Sequence, residues 1–151
     1  MKKISYITIS LSLLLLISIF FNIEYLNSLS RNNNLVKKAD TEFLSKLDSL
    51  NTSLKFFKEN QQTLAVNVRN SSSHAGSVLA LCKLTSFYNK NIGLFGTLNE
   101  LTLVLIDLPE DKILKNIDKI SDYLVKIYNN PTGSNISDEF QQFLFELKAS
   151  T

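Results

Sequence analysis

At 151 residues, with two prolines, four glycines and no tryptophan, the chain is long enough for one modest domain and composed like a helical protein rather than a β-sandwich. Its net charge of +2 comes from Lys2 and Lys3 alone, because the remainder holds fourteen basic and fourteen acidic residues. A neutral body argues against a nucleic-acid partner and against strong attraction to anionic lipid surfaces, and a single cysteine, Cys82, excludes an internal disulfide.

Ile4 to Phe21 is the first element, eighteen residues without a charge or a proline. As a helix it measures about 27 Å, the thickness of a thin hydrocarbon core. Ser5, Thr8, Ser10, Ser12 and Ser18 are tolerable there because a hydroxyl bonds back to its own helix. Lys2 and Lys3 orient the N-terminus inside. Residues 1–21 are therefore expected to be a single-pass anchor in the inner or cytoplasmic membrane, touching the lipid bilayer through residues 4–21. The bulk of the chain is then periplasmic or extracellular. A cleaved signal peptide shares the basic start and apolar middle, and Ser28-Leu29-Ser30 offers small residues at cleavage spacing. Against cleavage, the run is longer than a usual signal core and no A-x-A follows it directly. A buried helix of a soluble protein is the third reading.

Residues 22–39 read as a polar, Asn- and Ser-rich juxtamembrane spacer, although Leu26, Leu29 and Val36 keep a helical beat. Phe43, Leu47, Leu50, Leu54, Phe57, Gln61, Leu64 and Val68 then follow 4-3-4-3-4-3-4 spacing, a heptad seam over almost four repeats. This predicts one coiled-coil-like helix over 40–70, running from Asp40 to Arg69. Its narrow stripe needs a partner, either another helix of this chain or a second copy. The candidate self-association seam is Phe43, Leu47, Leu50, Leu54, Phe57, Leu64 and Val68, with Gln61 as a polar position that pins register.

Asn70 to Gly76 is rich in turn and cap formers and is expected to break the helix, leaving His74 in a loop. Residues 77–151 are expected to form a C-terminal helical module. Ser77 would cap a helix through Leu79, Leu81, Leu84, Phe87 and Tyr88, with Cys82 as a buried thiol. Gly93 and Gly96 would loosen or end a helix. Thr97-Leu98-Asn99-Glu100 fits a capping box ahead of Leu101–Ile106, a run apolar on every side for which a β-strand is the alternative. Pro109 opens the next helix, with Ile113, Ile117, Ile120, Leu124 and Ile127 as its stripe. A loop over 129–135 precedes a last helix, capped by Ser137 and buried through Phe140, Phe143, Leu144 and Leu147.

Motifs for nucleotide, metal or nucleophilic chemistry are missing from the sequence. His74 is the sole histidine, and the carboxylate pairs Glu110/Asp111, Asp118/Asp122 and Asp138/Glu139 sit where helix starts and polar faces explain them. No catalytic, cofactor-binding or metal residue is expected, and no enzyme activity.

Gly93-Leu94-Phe95, Asn99-Glu100-Leu101, Pro131-Thr132 and Phe140 follow one another in an order that resembles the C-terminal module of the mitofilin family and its bacterial relatives. The likeness spans roughly Leu79 to Phe143. It implies an inner-membrane organising protein whose module lies outside the cytoplasm. The coiled coil is much shorter here than is usual in that family.

The resulting expectation is an all-α protein: an N-terminal transmembrane helix, a long amphipathic helix and a small helical bundle. In that bundle the stripes of 40–69 and 113–127 pair antiparallel. The function that fits is a non-enzymatic, membrane-anchored scaffold or interaction protein, working as a homo-oligomer or with a helical partner. The alternatives are a ligand-sensing bundle that signals through a membrane partner, and a secreted effector freed after Ser30.

Overall fold

A computed structural model describes the backbone of residues 2–59 and 64–150, and the side chains of 10–59 and 68–150. Every regular element in the described residues is a helix: α1 (Lys2–Glu59), α2 (Leu64–Cys82), α3 (Gly93–Asp107), α4 (Glu110–Asn129) and α5 (Ser134–Ala149). Leu101–Ile106 is therefore helix and not strand. The chain divides into two compact units, Met1–Val36 and Lys37–Thr151.

The first unit is the N-terminal part of α1. Residues 22–39, expected as a polar juxtamembrane spacer with a helical beat, are helical throughout. Asn22 satisfies its own amide by donating to the Ser18 carbonyl at 2.8 Å. Few glycines or prolines means few helix breakers, and an Asn-rich segment without them stays helical when its neighbours are helical on both sides.

The second unit is a bundle built around the heptad seam. Phe43, Leu47, Leu50, Leu54 and Phe57 are all at or below 1% exposure, filled against Val78, Cys82, Leu98, Leu101, Ile120, Leu124 and Phe140 in one core. From Lys37 onward, α1 runs antiparallel to α2, as the pairs Asp40/Ser86 and Ser53/Ser71 show. It runs antiparallel to α4 as well. Ser121 donates to Asn51 Oδ1 at 2.6 Å inside the core, and Lys58 meets Asp118 at 2.7 Å nearer the surface. The stripe Ile113, Ile117, Ile120, Leu124 and Ile127 is buried along its whole length, as the spacing predicts. The last helix buries Phe140, Phe143, Leu144 and Leu147. Tyr123 of α4 lies parallel to Phe140, with ring centroids 4.8 Å apart.

Four local expectations are corrected. The helix predicted over Asp40–Arg69 is divided between α1, which ends at Glu59, and α2, which starts at Leu64; Gln61 lies outside the described residues. The break predicted at Asn70–Gly76 is helix. Ser71, Ala75, Val78 and Cys82 form a buried 4-3-4 stripe of small side chains, and burying that stripe in the bundle core outweighs the turn preference of the serines. The serines are also accommodated, since Ser72 donates to the Val68 carbonyl at 2.9 Å and Ser77 to the Ser73 carbonyl at 2.9 Å. Ser77 is thus inside a helix and caps nothing.

The third correction concerns the glycines, which open α3 instead of ending a helix. Gly93 and Gly96 face α5 so closely that a Cβ on Gly93 would stand 3.0 Å from Asp138 Oδ1 and one on Gly96 3.2 Å from Gln141 Nε2. Fourth, Thr97 and Ser137 cap no helix. The Thr97 hydroxyl lies within hydrogen-bonding reach of the Gly93 carbonyl at 3.0 Å and of the Ser137 carbonyl at 2.9 Å, which ties α3 to α5. Ser137 is fully buried and receives the Asn91 side-chain amide at 2.8 Å.

Candidate functional site

The largest uncovered apolar surface belongs to α1 before the bundle begins. Leu11, Leu13, Leu14, Leu15, Leu16, Phe20 and Phe21 are each about 60% exposed or more. Among the described residues this is the one helix long and apolar enough to cross a membrane, and none of its apolar window is buried by the rest of the chain. Water does not sustain such a surface: contiguous apolar patches beyond a few hundred Å² mark a lipid or protein contact. All backbone polar groups there are satisfied within the helix, the condition a lipid environment imposes. Beyond the run, Tyr25, Leu26, Leu29 and Leu35 also stay exposed.

The seam residues are placed differently. Phe43, Leu47, Leu50, Leu54 and Phe57 are covered by other helices of the same chain, so the first of the two sequence alternatives, an intramolecular partner, is the arrangement seen. Val68 is half-buried against that core, and the side chain of Leu64 lies outside the described residues.

The groups with chemical potential are scattered. His74 sits on α2, half-exposed, along a shallow depression of about 390 Å³ with Asp48, Thr52, Ser53 and Asn70. Cys82 is fully buried, and that burial pushes its thiol up to about 11, with Lys83 acting weakly in the other direction. A thiol so protected is a small core hydrophobe, as its surroundings in the sequence predict. Asp111 pairs with Lys115 at 3.8 Å and Asp118 with Lys58, both exposed. No group of three His, Cys, Asp or Glu side chains in the described residues converges as a metal site would.

Two polar features were not legible from spacing. The Asn91 side-chain amide, in the turn before α3, lies within hydrogen-bonding reach of the Ser137 hydroxyl at 2.8 Å and of the Pro131 and Gly133 carbonyls at 3.1 and 3.3 Å. It pins the loop between α4 and α5 onto the start of α3. Glu100, buried on α3, is held by Lys148 of α5 at 2.8 Å. Both serve the α3–α5 contact. The signal that points to them is the Gly93-x-x-Gly96 spacing, which clears one helix face for close approach. No family model matches this chain, and neither does any curated protein or solved structure compared with it.

Proposed function

We propose that the protein is a membrane-anchored, non-enzymatic interaction module. In this reading α1 spans a bilayer through its apolar start and carries the helical bundle outside the cytoplasm. The observation that carries it is the apolar start of α1, whose hydrophobic window the chain does not cover for itself. A core helix of a soluble bundle would be buried on at least one side. Lys2 and Lys3 give the orientation, since basic residues stay on the cytoplasmic side.

The finer reading is a membrane-organising role of the kind the mitofilin family performs. Its support is that the short matching pieces are neighbours in the fold. Gly93-Leu94-Phe95 opens α3, Pro131-Thr132 lies in the loop that Asn91 holds, and Phe140 fills the α5 face of the core.

The test is fractionation of cells expressing the full chain with a C-terminal tag. The expected result is a tagged band that pellets with membranes, resists alkaline carbonate and is digested by protease added from outside the cell membrane. Its mass is that of the whole chain. A soluble exported product whose N-terminus follows Ser30 would sink the anchor and favour a secreted effector.

A further inference from the structure

The stripe that becomes the bundle core does not begin at Phe43. Counted back from Phe43 in the same alternation of three and four, it passes through Asp40, Val36, Asn33, Leu29 and Leu26, and α1 is helix through all of them. From Asp40 onward the chain covers this stripe itself. Asp40 is engaged by Ser86 and Phe43 is fully buried. Val36 is half-buried, and before it the cover stops: Leu26 is 61% exposed, Leu29 46%, and Asn33 is open to solvent.

Two regularities say what covers it. The sole charges between residues 22 and 36 are Glu24 and Arg31, seven residues apart. In a heptad with Leu26 and Asn33 at a and Leu29 and Val36 at d, both fall at f, the position opposite the seam. Ile23 and Tyr25 flank the seam at e and g, and only Leu35 of the large apolar side chains lies off it. No charge meets another across such a seam. The second regularity is Asn33 itself. An asparagine at one a position is the device by which two-stranded parallel coiled coils choose register and strand number, each side chain bonding its counterpart. A helix that enters a membrane from one side delivers every copy in the parallel direction this requires.

We propose that residues 22–36 are a dimerisation segment, on which a second copy of this chain packs as a parallel, in-register, two-stranded coiled coil with Asn33 against Asn33 of the partner subunit. The proposal rests on the reading of α1 as an anchor. Two heptads are short for a free coiled coil, and the anchor supplies what is missing. It confines the copies to one surface, which raises their effective concentration, and the alternation continues into the apolar run through Asn22, Ile19 and Leu15.

The test uses the full chain in native membranes, with single cysteines introduced as Leu29→Cys, Asn33→Cys and Arg31→Cys. Cys82 is buried and the wild type serves as background. On mild oxidation, positions 29 and 33 are expected to give a disulfide-linked dimer severalfold above position 31 and the wild type. At f the two Cβ atoms are beyond disulfide reach. Equal yields at the three positions, or none above background, overturn the proposal. Light scattering in detergent is the second measurement. The wild type is expected at the mass of two chains and the L26E/L29E variant at one, with unchanged helical content; a dimer that survives the two glutamates, or a trimer, overturns it. Membrane pelleting of the same samples separates the two readings. A pelleted chain without the cross-link removes the dimer alone, whereas a chain released after Ser30 removes the anchor and the dimer together.

Discussion

Asp40 holds Ser86 with both carboxylate oxygens, one accepting the Ser86 backbone N–H and the other its hydroxyl, each at 2.7 Å. The contact joins residues 46 positions apart and fastens the turns after α2 to the start of the bundle. Charge-assisted hydrogen bonds of this kind contribute about 1.5–3 kcal/mol, and half-burial puts this pair toward the low end. Asp40→Ala is expected to lower the stability of the 37–151 unit by about 2 kcal/mol, and Asp40→Asn by less, because one acceptor is retained. Urea denaturation followed by circular dichroism measures both.

Two ion pairs that join different helices, Lys58–Asp118 and Lys148–Glu100, should differ sharply. Lys58–Asp118 is exposed, and Lys58→Met is expected to change stability by less than about 0.5 kcal/mol. Lys148→Met leaves Glu100 buried without its cation and should cost about 2–3 kcal/mol. Adding Glu100→Gln should recover part of that loss, and a double-mutant cycle reads the coupling. Equal effects at the two lysines would contradict the burial argument.

Gly96→Ala has a sign that can be worked out. Its new Cβ meets only the end of the flexible Gln141 side chain, at 3.2 Å, while alanine in a helix gains up to about 1 kcal/mol over glycine. The variant is expected to melt slightly higher than the wild type. Gly96→Leu cannot be accommodated between α3 and α5 and should melt well below it.

Cys82 makes a pH prediction. Burial raises its thiol from 9.0 to about 11. Between those values the unfolded chain gives up the thiol proton and the folded chain keeps it, so stability falls as pH rises through that window and is untouched below it. Thermal melts of the wild type and Cys82→Ala should therefore converge in slope below pH 9.0 and diverge above it. A thiol reagent at neutral pH should label Cys82 only as fast as the bundle opens.

The two parts of the heptad stripe should separate in a stability assay. Leu50→Ala removes a fully buried side chain and is expected to cost about 3 kcal/mol. Leu26 belongs to the other unit and is 61% exposed, so Leu26→Ala should leave the melting of the 37–151 unit unchanged. A fall in bundle stability with Leu26→Ala would show that residues 22–36 pack against the bundle.

Helical periodicity made the bundle's long apolar faces readable in advance. Ile113 to Ile127, Phe140 to Leu147 and Phe43 to Phe57 are all buried on the stripes their spacing describes, because a 3.6-residue helix has few other ways to hide large side chains. Where the signal was carried by small residues it misled. Ser71 and Ala75 read as a loop, and Thr97 and Ser137 read as caps, because spacing alone does not show that a partner helix will bury them.

The apolar run of α1, the all-helical class and the neutral body were determined by the sequence alone, since they depend on composition and on local periodicity. Only the tertiary structure decided which partner the heptad stripe takes. A seam of Leu and Phe fits a second copy as well as it fits α2 and α4. The choice depends on where the chain turns back, on the small-residue face of α2 that allows close approach, and on contacts such as Asp40 with Ser86 and Asn51 with Ser121. Those contacts join residues 46 and 70 positions apart, a separation at which no local pattern in the sequence speaks.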